Sequence, residues 1–571
     1  MAAIQGLIGG SQQIDGRSGA GDGPPHLALR GFRAAAVDTP GAPAQLRQVG
    51  GVALAWVGRP YLPGVDADAF DARLAERFRA DGAAVLEALR GDFALAAYDE
   101  ASGRGIVATD RMGIQPLFIR IEHDRVAFGS TPQAVRAQAG IAPEVDPQAL
   151  FDYFHAHVVP APRSVLKGVE RLLPGECVRW TAMRAERAPY WRAEFVEDRD
   201  PGFAHKRSGF LDALRSAVAR ATDGARCGAF LSGGTDSSTI VGLMSEAAGG
   251  PVDTYSIGFE AAGYDEMEYA RLAARHFGAR HHEYYVTPDD IVAAVPLLAR
   301  THVQPFGNSS AVPAYFCARL AAGEGIERMI GGDGGDELFG GNARYAKQRV
   351  FALYESLPPL LRRALIEPAA RAAAGLGRVP GLSKAVSYVR QASVPMPDRL
   401  ETYNLLNRLG AQALLSPALL DAVDVDEPTR LNREAFANPT AQSLINRMLA
   451  LDFKTTLADN DLPKVVHSCT AAGVGVAFPM LDASVVDFSL ALPPRDKLRG
   501  TRLRYFFKEA LTGFLPQQII DKEKHGFGLP YGEWAMRHPR LRELTFDSIA
   551  SFGRRGWVNK AMIDRLVNDL M

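Results

Sequence analysis

The chain has 571 residues, 47% of them hydrophobic, and 64 Lys and Arg against 65 Asp and Glu leave a net charge of −1. That length exceeds one hydrophobic core, so two domains are expected. No Lys- or Arg-dense stripe supports a nucleic-acid partner, no apolar run reaches membrane-spanning length, and no basic region with an apolar signal core opens the chain. The expectation is a cytoplasmic enzyme with no nucleic-acid and no membrane partner.

In chain order, the Gly-rich segment up to Pro25 reads as a mobile surface loop. The stretches Leu89–Tyr98 and Thr109–Phe118 alternate apolar residues as packed strands do. A charged linker, Glu194 to Asp200, marks a boundary near residue 200. Beyond it the short apolar stretch Gly228–Leu231 runs into Leu231-Ser-Gly-Gly-Thr-Asp-Ser-Ser-Thr-Ile240. A strand that breaks into Ser-Gly-Gly and restarts as a helix at Ser237 places backbone N–H groups, hydroxyls and a positive helix end around one small volume, which suits a phosphate chain. Asp236 fits there as the ligand of a cation, because a bare carboxylate would repel phosphates.

Next come a strand at Asp253–Gly258, a helix from Glu266 to Phe277, a short strand near His282 to Tyr285, and helical patterns near Asp289–His302 and Ala311–Ala322. Strands alternating with helices imply a parallel sheet, whose ligands sit at the carboxyl ends of the strands near a switch point. The segment Ile330-Gly-Gly-Asp-Gly-Gly-Asp-Glu-Leu-Phe-Gly-Gly341 then supplies carboxylates that can share a metal with Asp236 and leave one free as a base. Segments between Leu357 and Ala437 look helical and carry no assignable motif. Cys177, Cys227, Cys317 and Cys469 have neither zinc-site nor disulfide spacing and are expected to be reduced and buried.

The loop SGGTDSS, the strand TYSIGFE, the segment GGDGGDELFGG and the late stretch Lys522-Glu-Lys-His-Gly-Phe-Gly-Leu-Pro530 together resemble the asparagine-synthetase-like ATP pyrophosphatases, a group that includes β-lactam synthetases and lasso-peptide macrocyclases. The resemblance runs from Met1 to about Trp534. It implies an α/β protein: an N-terminal Ntn-type α-β-β-α sandwich over residues 1–200, and over residues 205–571 a doubly wound parallel-sheet ATP-pyrophosphatase domain with helical additions. It also implies ATP and Mg²⁺ as cofactors. A carboxylate is activated as an acyl-adenylate with release of pyrophosphate, and an amine then displaces AMP. By resemblance Asp236 and Asp336 look like the Mg²⁺ ligands, and Asp333 and Lys524 like the catalytic pair, proton acceptor and oxyanion-facing cation respectively. Leu231, Ser232, Gly233, Gly234, Asp236, Ser237, Ser238, Ile257, Gly258 and Gly332 would line the ATP site. For Glu337 a structural role is expected.

The N-terminal half departs from the pattern. It resembles a class II glutamine amidotransferase, in which a cysteine follows the initiator methionine, yet here Ala2 stands there and offers no thiolate. Val57-Gly-Arg-Pro-Tyr61 occupies the place of Asn-Gly-Glu-x-Tyr, so Val57 and Arg59 replace glutamine-binding groups. A folded scaffold without glutaminase activity is expected.

On the acceptor side, asparagine synthetases of this pattern read Lys-Val-Asp-Arg and Glu-x-Arg-x-Pro-x-Leu-Asp, where this chain has Lys464-Val-Val-His467 and Gly475-Val-Ala-Phe-Pro-Met-Leu-Asp482. The charged positions are Val466, His467, Gly475 and Ala477, and Gln304 and Asn308 replace two carboxylates. This argues against free aspartate and for a peptide or other amino-acid-derived substrate that brings its own amine. A lasso-type cyclase, closing a macrolactam between a peptide N-terminus and an Asp or Glu side chain, is the reading adopted, with a precursor-processing protease as its partner. The alternatives are a β-lactam synthetase, whose members carry tyrosine at the Asp333 position, an ammonia-dependent asparagine synthetase, and a catalytically silent interaction protein.

Overall fold

The computed structural model of the chain describes residues 3–9, 25–38, 43–181, 184–260, 267–374, 382–523 and 528–570. Ala2, Lys524 and most of the Gly-rich segment before Pro25 lie outside the described residues.

Among the described residues, twelve strands build the N-terminal half. They are β1 Ala3–Gly9, β2 His26–Leu29, β3 Phe32–Val37, β4 Ala44–Val49, β5 Val52–Gly58, β6 Phe93–Asp99, β7 Arg104–Thr109, β8 Phe118–Ile121, β9 Arg125–Gly129, β10 Glu170–Arg171, β11 Glu176–Thr181 and β12 Arg184–Pro189. They form two six-stranded sheets, ordered β10-β8-β9-β1-β3-β2 and β12-β11-β7-β6-β5-β4. Side-chain parity decides what lies between the sheets. On β5 and β6, Ala53, Ala55, Val57, Ala94, Ala96 and Tyr98 face the inter-sheet core. Val52, Leu54, Trp56, Phe93, Leu95 and Ala97 pack instead against helix Phe70–Asp81 through Leu74, Ala75 and Phe78. Both faces are therefore covered, and every residue of β5 and β6 is buried. Helix Pro132–Ala139 covers the other sheet through Val135 and Ala139. The expected four-layered sandwich is present.

Part of the strand expectation fails at Thr109–Phe118, where strand exists only at the two ends. Between them the buried Asp110 carboxylate accepts the N–H groups of Met112 (2.9 Å), Ile114 (3.1 Å) and Gln115 (2.9 Å), closing an Asx-type turn that alternation does not reveal.

The C-terminal half carries β13 Cys227–Phe230, β14 Asp253–Phe259, β15 Arg280–Val286, β16 Arg328–Ile330 and β17 Gly475–Ala477, all parallel, in the order β15-β14-β13-β16-β17. β15 is longer than its polar sequence suggests because its whole length pairs with β14. The order reverses between β13 and β16, which defines the switch point of a doubly wound sheet. Its main core gathers Leu231, Ile240, Ile330, Leu338, Phe339, Phe507 and their neighbours. Helices also fill most of residues 343–471, including a continuous rod of helix Leu444–Asp452, π-helix Phe453–Asp461 and helix Leu462–Ala471. All four cysteines are free, three of them buried and Cys227 half-buried. No helix among the described residues is long and apolar enough to cross a membrane.

Candidate active site

The loops after β13 and β16 leave the sheet side by side at the switch point. Helix Thr235–Ala248 starts two residues before the expected Ser237, so Asp236 lies in its first turn. Ser237 Oγ ties the loop, receiving the Ser232 N–H (3.2 Å) and lying 3.1 Å from Ser232 Oγ. Gly332 packs against the backbone of Asp236 and Ser237, which brings the second loop onto the first. Ile257 and Gly258 lie on β14, hydrogen-bonded to β13. Leu231 and Ser238 contribute differently from the expectation of direct contact. Leu231 is 2% exposed and its carbonyl is taken up by Ser256, while Ser238 is fully buried with a hydroxyl that meets no partner. Both side chains support the loop from beneath; Ser232, Gly233, Gly234 and Ser237 form the part that can meet a phosphate.

Asp236 and Asp336 do converge. Between them sits Arg504, which the sequence reading did not single out. Its Nη1 donates to Asp236 Oδ2 (2.7 Å), Asp336 Oδ1 (3.2 Å) and Thr235 Oγ1 (3.0 Å), and its Nη2 donates to Asp236 Oδ1. Arg504 is 6% exposed, lies over the Phe507 ring at 4.1 Å, and adopts a left-handed conformation at φ 55°. Glycine is obligatory on the facing wall, because a Cβ at Gly335 would overlap Asp236 and one at Gly341 would overlap Asp336. Two hard carboxylates that meet at one cationic group are a donor set that fits Mg²⁺, with the guanidinium here standing in for the metal's charge.

Asp333 lies on the same loop. Its side chain keeps 24% exposure at the floor of the crevice, and burial raises its pKa against the opposing pull of Lys464. Lys464 Nζ is 2.8 Å from Asp461 Oδ1 and 3.9 Å from Asp333 Oδ1. Burial disfavours the Lys464 charge, yet Asp461 and Asp333 more than offset it and its pKa is raised. A carboxylate with a raised pKa can accept a proton from an attacking amine, and a charged ammonium beside it can face a developing oxyanion. Glu337 is 5% exposed and pushed up to about 8 by burial.

The acceptor-side positions are largely committed to packing. Gln304 Oε1 accepts the Val165 N–H (2.8 Å), and Asn308 Nδ2 donates to Asn460 Oδ1 (2.9 Å). Val466, Gly475 and Ala477 are buried, and His467 Nδ1 lies 3.1 Å from His302 Nδ1. In the N-terminal sandwich Val57 is 2% exposed in the inter-sheet core, and Arg59 donates to Asp92 (3.0 Å) and to the Ala221 carbonyl (3.3 Å) across the two halves.

Residues 209–570 match the asparagine synthase family and residues 72–191 match the glutamine amidotransferase domain, the latter match starting beyond Val57 and Arg59. With more than half its length matched, the chain belongs to the asparagine synthase family, and it is an ATP-dependent amide-forming ligase. A putative glutamine-hydrolysing asparagine synthetase of Mycobacterium bovis is 28% identical over 515 residues, 86% of this chain and 74% of that one. Asparagine synthetase 1 of Bacillus subtilis is 25% identical over 84% and 74% of the two chains. Amidase chry2 of Gibberella zeae is 22% identical over 83% and 75%.

Proposed function

We propose that the chain is an intramolecular amide synthetase of the lasso-cyclase type, which adenylates an Asp or Glu side chain of a peptide and closes a macrolactam on that peptide's N-terminal amine. One observation carries the reading. The carboxylates that adenylation and amide formation call for, Asp236 and Asp336 for the first and Asp333 for the second, are coupled to an amidotransferase half in which Val57 and Arg59 are spent on packing and on Asp92. The neutral acceptor side points the same way, since Gln304, Asn308, Val466, Gly475 and Ala477 offer no charge to an amino acid such as free aspartate.

The residues divide the chemistry. Ser232, Gly233, Gly234 and Ser237 would hold the phosphates, and Asp236 and Asp336 would hold Mg²⁺, whose charge would offset that of the pyrophosphate. Asp333 takes the proton from the attacking amine, and its raised pKa suits that role. Lys524, which matches the family's lysine before Gly-Phe-Gly, is the partner cation. With amine and carboxylate on one molecule, closure gains effective concentration and needs no ammonia. Residues 1–200 serve as a scaffold and 205–571 as the synthetase.

The test is a reaction with ATP, Mg²⁺ and a linear precursor peptide, without glutamine or ammonium. Intact mass should show loss of one water with AMP in equal amount. An unchanged peptide there, with asparagine formed in a parallel reaction given aspartate and ammonium, would assign the chain to the asparagine synthetase reading, which family membership equally accommodates.

A further inference from the structure

The π-helical turn between the two ordinary helices of the 444–471 rod carries three consecutive polar residues, and each is fixed by a different part of the molecule. Asp459, 3% exposed, accepts from Arg171 of β10 and from the Ala161 N–H (3.1 Å) on Oδ1, and from Lys454 (3.2 Å) on Oδ2. Asn460 accepts from Asn308 (2.9 Å). Asp461 accepts from Lys464 (2.8 Å), whose ammonium faces Asp333. A π-turn aligns residues five apart, which is the spacing of Lys454 and Asp459; in an α-helix the two would diverge around the rod. The contacts of Asp459 therefore help to hold the wider turn, and the wider turn sets where Asp461 points.

Arg171 belongs to the N-terminal sandwich and is 8% exposed. It touches none of the ATP-loop residues in the contacts described, and its guanidinium reaches the C-terminal half through its bond to Asp459. The sandwich also grips the neighbouring segment, with the Val165 N–H donating to Gln304 (2.8 Å) and the Gly307 N–H donating to the His157 carbonyl (2.8 Å). We propose that the Arg171–Asp459 pair is a strut through which the N-terminal sandwich positions the π-helical turn and thereby presents Asp461 and Lys464 to Asp333. Arg171 and Asp459 are positioning residues in this scheme, and Lys464 is the group they place. The role assigned to Asp333 rests on the function proposed above, whereas the strut is a property of the fold and can be read without any substrate.

The test uses the full chain and its Arg171→Met, Arg171→Lys and Asp459→Asn variants. Hydrogen exchange by mass spectrometry in Arg171→Met should rise about tenfold across residues 453–466, far from residue 171 in sequence, while β13 and β16 stay protected. MgATP affinity, measured by calorimetry, should be unchanged. Arg171→Lys, which keeps the charge, should restore most of the protection. If Arg171→Met does not fold, the isosteric Asp459→Asn gives the same comparison. Where turnover is measurable, amide formation should fall while pyrophosphate release and KM for ATP hold. Faster exchange confined to residues 158–173, or an equal loss of ATP affinity and amide formation, would overturn the strut. A wild-type chain that cyclises no peptide would count against the proposed function and leave the exchange result standing.

Discussion

Arg504 sets the electrostatics of the centre. Its guanidinium lies against both carboxylates that would ligate a metal, so removing it takes away the cation that Asp236 and Asp336 share. Breaking such a buried pair costs about 3 kcal/mol. In metal-free buffer Arg504→Met should therefore melt well below the wild type, and Mg²⁺ should raise its Tm more than it raises that of the wild type. Equal responses in scanning calorimetry would mean that the metal binds elsewhere. Asp236→Ala or Asp336→Ala should abolish pyrophosphate release with the cognate substrate present, since a lost ligand leaves phosphate charge uncompensated. Asp333→Asn should behave differently, retaining pyrophosphate release and losing amide formation. The two loops were legible because Ser, Gly and Asp cluster there with a chemistry that phosphates and cations require. Arg504 was not, because it lies 268 residues from Asp236 and enters from a left-handed backbone position that carries no sequence signature.

Among the elements, helix Pro288–Thr301 and helix Leu462–Ala471 meet through a histidine pair, His302 beside His467, with His302 stacked on Phe306 at 4.4 Å. Burial lowers the pKa of His302 to about 4, and burial with the neighbouring His302 and Arg171 charges holds His467 well below its ordinary value. Both folded-state values lie below those of the unfolded chain, so both contributions to stability are present above the ordinary histidine pKa and are lost as pH falls through the folded values. For His302 the loss amounts to roughly 3 kcal/mol between about pH 6.5 and pH 4. Thermal denaturation across that range should show a steeper loss for the wild type than for a His302→Leu/His467→Leu variant. Parallel slopes would show that the pair does not titrate as its burial requires. At this scale periodicity revealed β13, β14, part of β15 and helix Ala311–Gly323, but not β17. It missed the turn around Asp110 and the π-helix at Phe453–Asp461, because both depend on individual polar contacts that leave no period behind.

Taken whole, the molecule joins a four-layered sandwich to a doubly wound sheet, and Arg59 and Tyr61 serve the junction. Arg59 reaches Ala221, and Tyr61 lies under Arg220, which itself pairs with Asp482 (2.8 Å). With Ala2 and these replacements, no glutamate should form from glutamine with or without ATP, and Ala2→Cys should not restore it, since the pocket would still lack its polar groups. Glutamate above background in a coupled assay would contradict the scaffold reading. The central claim is that a carboxylate of the substrate becomes an acyl-adenylate before an amine displaces AMP, and isotope transfer tests it most directly. With heavy oxygen in the substrate's acidic side chain, the AMP released should carry one labelled oxygen and the amide should keep the other. Label in orthophosphate alongside ADP, or unlabelled AMP accompanying a fully formed amide, would contradict the account.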